Sequence, residues 1–182
     1  MIPTMQECLS WINDDGTLIV PYGITEIPEK TFMYNKTIKK AIIPGTVITI
    51  KKHAFNHCVN LKEINLSYGT KTIDYCAFIC CDSLEEIVLP NSITLAESFA
   101  FSNCLRLKKV KISERMDFIS SSCFLNCQSL DNLYIPINIK FIETDAFAKC
   151  SNLKSVTLCD KTDIQYNAFR FTPAAGYSKY IL

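Results

Sequence analysis

The chain has 182 residues, with 19 basic against 18 acidic side chains, two histidines and a net charge of +1. So small a net charge provides no field to gather nucleic acid, anionic membrane or an acidic substrate, which excludes partners selected by bulk charge. The 10 cysteines are too sparse for a small disulfide scaffold and read as reduced thiols.

The opening segment, residues 1–16 (MIPTMQECLSWINDDG), has no Lys or Arg, and its short apolar run is broken by Ser10 and closed by Asp14 and Asp15. It does not read as a secretory signal. No stretch approaches the roughly 18 apolar residues of a membrane helix, so membrane insertion is not expected. As written, the chain reads as cytoplasmic. Leu9, Trp11 and Ile12 predict an apolar cap over residues 1–16.

From residue 17 to residue 170 the sequence repeats. Phe32, Phe55, Phe78, Phe101, Phe124 and Phe147 step by 23, and Phe169 comes after 22. Cys58, Cys81, Cys104, Cys127 and Cys150 keep the step, as do Leu61, Leu84, Leu107, Leu130 and Leu153. Two further columns, Ile64, Ile87, Val110, Leu133, Val156 and Leu66, Leu89, Ile112, Ile135, Leu158, alternate with polar residues. Alternation over so few residues predicts a short strand with one buried face. Pro44, Pro90 and Pro136 end it, and the A-F-x2-C stretch is expected to form one helical turn. A single coil this short cannot bury its apolar side, whereas stacked coils bury one continuous core. The fold class is therefore a repeat solenoid with six full coils and a partial seventh, the first of them closed by the cap over residues 1–16. Residues 171–182, with Tyr177, Tyr180, Ile181 and Leu182, predict a second cap.

The segment IVLPNSITLAESFAFSNCLRL, residues 87–107, resembles the BspA-like leucine-rich repeats. That resemblance implies a right-handed solenoid with one parallel sheet and short helical or irregular returns on the other face. It also implies a surface protein of the adhesin kind, which places the chain at a cell surface and gives it a protein partner.

The reactive-looking residues fall into the same columns. One thiol per coil along a line does not make a zinc site, which wants four converging ligands. A buried free Cys behaves as a small apolar filler with a weak donor. His53 and His57 read as solvated surface residues, and Cys76, Cys80 and Cys81 lack redox spacing. No nucleotide-binding motif occurs, and no base and nucleophile gather in a cleft. Neither catalysis, nor a cofactor, nor a metal is expected.

Alternation sends one residue of each strand outward. The resulting row, Ile42, Asn65, Val88, Lys111, Tyr134 and Thr157, with Ile19 before it, does not repeat chemically. Varied side chains on a repeated frame suit a partner-binding face, with Tyr134 as its first anchor. The alternative is a cytoplasmic scaffold that works through its ends, as a monomer or an end-to-end dimer.

Overall fold

A computed structural model describes residues 3–174 and the main chain of residues 178–180. After one short helix, α1 (Met5–Leu9), fifteen short strands alternate between two faces of a solenoid. The odd-numbered strands form the longer face: β1 (Thr17–Ile19), β3 (Lys40–Ile43), β5 (Glu63–Leu66), β7 (Glu86–Val88), β9 (Lys109–Lys111), β11 (Asn132–Tyr134), β13 (Ser155–Cys159) and β15 (Ser178–Tyr180). The even-numbered strands are two-residue pieces: β2 (Glu26–Ile27), β4 (Thr49–Ile50), β6 (Thr72–Ile73), β8 (Leu95–Ala96), β10 (Phe118–Ile119), β12 (Phe141–Ile142) and β14 (Asp163–Ile164). Every pairing between these strands is parallel, and up to β14 its register matches the sequence period, as in Ala41 opposite Ile64 and Ile50 opposite Ile73. The single sheet expected from the sequence thus has a second, narrower ladder beside it.

The A-F-x2-C return is not a helical turn. Within the coil, Ala54, Asn56 and Cys58 donate main-chain hydrogen bonds three residues back, to Lys51, His53 and Phe55, at 3.1, 3.2 and 3.1 Å. The N–H groups between them, on His53, Phe55 and His57, reach instead to Tyr75, Ala77 and Ile79 of the next coil at 3.1, 2.7 and 2.9 Å. A helix would turn every N–H along its own axis. Two left-handed residues per coil, here His53 (φ 58°) and His57 (φ 57°), produce the alternation. The same two places recur at Cys76 and Cys80, Phe99 and Asn103, Ser122 and Asn126, and Asp145 and Lys149.

Inside, the phenylalanines stack face to face in one column. Consecutive ring centroids from Phe32 to Phe169 lie 4.9–5.4 Å apart. That is the coil spacing set by hydrogen-bonded strands, so the ring stack and the backbone ladder impose the same period. Thr70 and Thr162 occupy places in the column of Val47, Ile93 and Ile139. Each buried hydroxyl donates to the carbonyl below it, on Val47 and Ile139, at 2.9 Å. A polar group in the core is tolerated there because it is satisfied.

At the first coil, Thr4 and Glu7 cap α1 reciprocally, Thr4 N–H donating to Glu7 Oε2 at 2.7 Å and Glu7 N–H to Thr4 Oγ1 at 3.3 Å. Cys8 is buried, and Leu9, Trp11 and Ile12 pack on the core. The edge of β1 is covered by its own preceding chain, with Ile19 N–H donating to Trp11 O at 3.0 Å and Asn13 N–H to Thr17 O at 2.9 Å. At the other end β15 pairs with β13, placing Tyr180 opposite Cys159. Tyr177, Ile181 and Leu182 lie outside the described residues.

Candidate interaction surface

The thiol column is built into the core. Cys58, Cys81, Cys104, Cys127 and Cys150 donate through Sγ to the carbonyls of Phe32, Phe55, Phe78, Phe101 and Phe124, at 3.0–3.3 Å. Burial pushes the Cys58 thiol up to about 12 and raises those of Cys81, Cys104 and Cys127 further. These groups remain protonated at neutral pH and are poor nucleophiles. Asn35 takes the same place in the first coil, which has no Phe carbonyl beneath it. Its Oδ1 turns back to accept from the N–H groups of Thr37 and Ile38 at 2.8 and 3.0 Å.

His53 and His57, expected on the solvated surface, are half-buried. The buried Asn56 sits between them, its Nδ2 2.9 Å from His53 Nδ1 and its Oδ1 bonded to His57 Nδ1. His53 also meets the Tyr75 ring edge-on at 5.8 Å, and His57 packs on Tyr34 at 4.8 Å. Burial lowers the His53 pKa, and the charges of Lys52 and Lys30 lower it further. Among the described residues no three His, Cys, Asp or Glu side chains gather as metal ligands. None of their helices is long and apolar enough to cross a membrane.

On the odd-numbered face, Ile42 lies opposite Asn65, Val88 opposite Lys111, and Tyr134 opposite Thr157, all in one outward row. Ile19, Val88 and Tyr134 are 47%, 44% and 59% exposed. Asn65 and Lys111 are exposed as well, while Ile42 and Thr157 are half-buried. The row is interrupted twice. The hydrogen-bonded order runs β1-β3-β5, then β7-β9, then β11-β13-β15, so no ladder joins β5 to β7 or β9 to β11.

A shallow groove opens at each interruption. The one at β5 and β7, about 460 Å³, is walled by Glu63, Asn65, Leu66, Glu86 and Val88. The one at β9 and β11, about 450 Å³, is walled by Lys108, Lys109, Val110, Asn132, Leu133 and Tyr134. Leu66 and Val110, which alternation predicts to be inward, are only half-buried and lie at these two grooves. Where strands lose their shared hydrogen bonds, core side chains reach the surface.

The structure adds a second outward row that the sequence columns do not announce. Leu95, Phe118 and Phe141 each precede a buried residue of the even-numbered ladder, and Phe141, opposite Phe118, is 51% exposed. Its one sequence signal is the column of buried partners beside it, Ile50, Ile73, Ile119 and Ile142.

A family model described as a BspA type leucine rich repeat region matches six copies over residues 25–154. Among solved structures, the T. pallidum leucine rich repeat protein TpLRR aligns with a TM-score of 0.75 and 28% identity, over 79% of this chain and 70% of that one. The pneumococcal vaccine antigen PcpA aligns with a TM-score of 0.71 and 26% identity, over 81% of this chain and 41% of that one. A leucine rich cell surface protein from Faecalibacterium prausnitzii A2-165 shares the fold at a TM-score of 0.62 and 22% identity, over 90% of this chain and 60% of that one. The chain thus spans less than two thirds of the length of the latter two. No curated protein sequence matches.

Proposed function

Because the chain belongs to the BspA-type leucine-rich repeat family, we propose that it is a non-catalytic protein-binding module working in adhesion or at a cell surface. The odd-numbered face engages the partner through Ile42, Asn65, Val88, Lys111, Tyr134 and Thr157. One observation carries the reading: Val88 and Tyr134 present large apolar surface to solvent from a frame whose repeating columns are otherwise buried. An exposed aromatic on a rigid support binds with little ordering cost. Likeness to a protein named a pneumococcal vaccine antigen supports the surface setting. No cofactor takes part, and residues 1–16 and 171–182 serve as caps.

The test is capture of partner from host-cell and bacterial lysates, read by mass spectrometry, with wild type against a variant carrying Val88→Asp and Tyr134→Asp. Both sites are solvent-facing, so the variant is expected to melt as wild type does and to lose capture. A variant that keeps its partners removes the odd-numbered face from the mechanism and leaves the ends of the solenoid as the binding surface.

A further inference from the structure

Groove and charge coincide at one place on this face. Strand β9 and the residues before it carry Arg106, Lys108, Lys109 and Lys111, all exposed. Lys108 pairs with Glu85 at 3.3 Å; among the described residues neither Lys109 nor Lys111 makes an ion pair. Lys40, at the matching place on β3, is by contrast held by Glu63 at 2.8 Å. Beside the free lysines the groove between β9 and β11 shows a mixed floor, with Val110 and Leu133 below and Tyr134, Asn132, Ser155 and Thr157 along the far wall.

We propose that this groove takes an acidic protein segment, its carboxylates on Lys109 and Lys111 and its apolar side chains against Val110, Leu133 and Tyr134. The inference deepens the sheet-face reading and rests on it. Unpaired ammonium groups on a chain with almost no net charge give a local attraction that acts within about a Debye length, some 8–10 Å, and so selects by docking geometry rather than by bulk charge. Glu86 stands opposite Lys109 in the β7–β9 pair, Glu85 is taken up by Lys108, and Asp131 lines the groove itself on its β11 side, so the positive field is narrow. A long polyanion lying across the face would meet all of those carboxylates, whereas a short segment with a few acidic residues between apolar ones meets fewer of them.

The probe is a fluorescein-labelled peptide of alternating Asp and Leu, followed by anisotropy on the intact chain at low and at physiological salt. Binding that weakens with salt is expected. Lys109→Glu with Lys111→Glu should weaken it about tenfold or more, Tyr134→Ala should weaken it less, and Lys40→Glu should leave it unchanged. Equal binding of the Asn-Leu peptide, or wild-type affinity in the Lys109→Glu, Lys111→Glu variant, overturns the proposal. So does binding of heparin oligosaccharide without the acidic peptide, which would make the groove a glycan site. Should the acidic peptide fail while the Val88→Asp, Tyr134→Asp variant still loses partner capture, the sheet-face reading survives and only the acidic partner is wrong.

Discussion

The thiol of Cys104 donates to the main-chain oxygen of Phe78 across 3.3 Å, tying the sulfur column of one coil to the aromatic column of the coil before it. Both groups are fully buried, so the carbonyl has no water to fall back on. Cys104→Ala removes a buried sulfur and leaves that acceptor with one partner fewer. A loss of about 1–2 kcal/mol is expected, by adding the usual worth of one buried apolar atom group and one hydrogen bond. Urea unfolding monitored by circular dichroism reads it directly, and an unchanged midpoint would mean that the sulfur fills space without bonding.

The phenylalanine column makes a positional prediction. Phe101 stacks on Phe78 and on Phe124 at 5.4 Å each, whereas in the column Phe32 stacks only on Phe55, at 5.1 Å. Phe101→Ala should cost about 3–5 kcal/mol, and Phe32→Ala measurably less, because a terminal ring loses one neighbour rather than two. Equal losses in denaturant would show that burial alone, without the stack, sets the energy.

The columns were legible in the sequence because in-register stacking demands the same residue type at the same place, and Phe, Cys and Leu at fixed spacing can hardly be read otherwise. Three features were not. The first left-handed place of each coil is filled by Lys30, His53, Cys76, Phe99, Ser122 and Asp145, and the second by Tyr34, His57, Cys80, Asn103, Asn126 and Lys149, mixed sets without glycine in which only the two asparagines hint at that backbone. The surfacing of Leu66 and Val110 depends on hydrogen bonds missing between neighbouring coils, a relation that no single repeat encodes. The even-numbered strands, two residues long, are too short for alternation to announce them.

That hidden backbone can be exploited. Lys149 is exposed with φ 61°, in the column of Asn103 and Asn126, whose side chains already join from Asn126 Nδ2 to Asn103 Oδ1 at 2.8 Å. Asn tolerates the left-handed region far better than Lys. Lys149→Asn is expected to stabilise the chain by about 0.5–1 kcal/mol, relieving the strain and offering an amide to the Asn column. A melting temperature at or below that of wild type would refute the strain argument.

His53 gives the chain a pH dependence whose sign is set by its surroundings. Burial disfavours the imidazolium, Lys52 and Lys30 repel it, and Glu29 attracts it more weakly, so its folded pKa lies below the ordinary 6.5. Around it stand Asn56, which bonds Nδ1, and the Tyr75 ring. When the folded pKa is the lower one, the unfolded chain takes up the proton first. Stability is then complete above about pH 6.5 and is lost as the pH falls towards the folded value. The carboxyls of Asp74 and Asp82, raised by burial from an ordinary 3.8, act in the opposite direction at lower pH, so the His53 effect is best read between about pH 7 and pH 5. Melts across that range should show the wild type losing stability and His53→Asn, which keeps a residue suited to φ 58°, losing less. Parallel curves for the two proteins would assign the acid sensitivity to other groups and return His53 to the status of a surface residue.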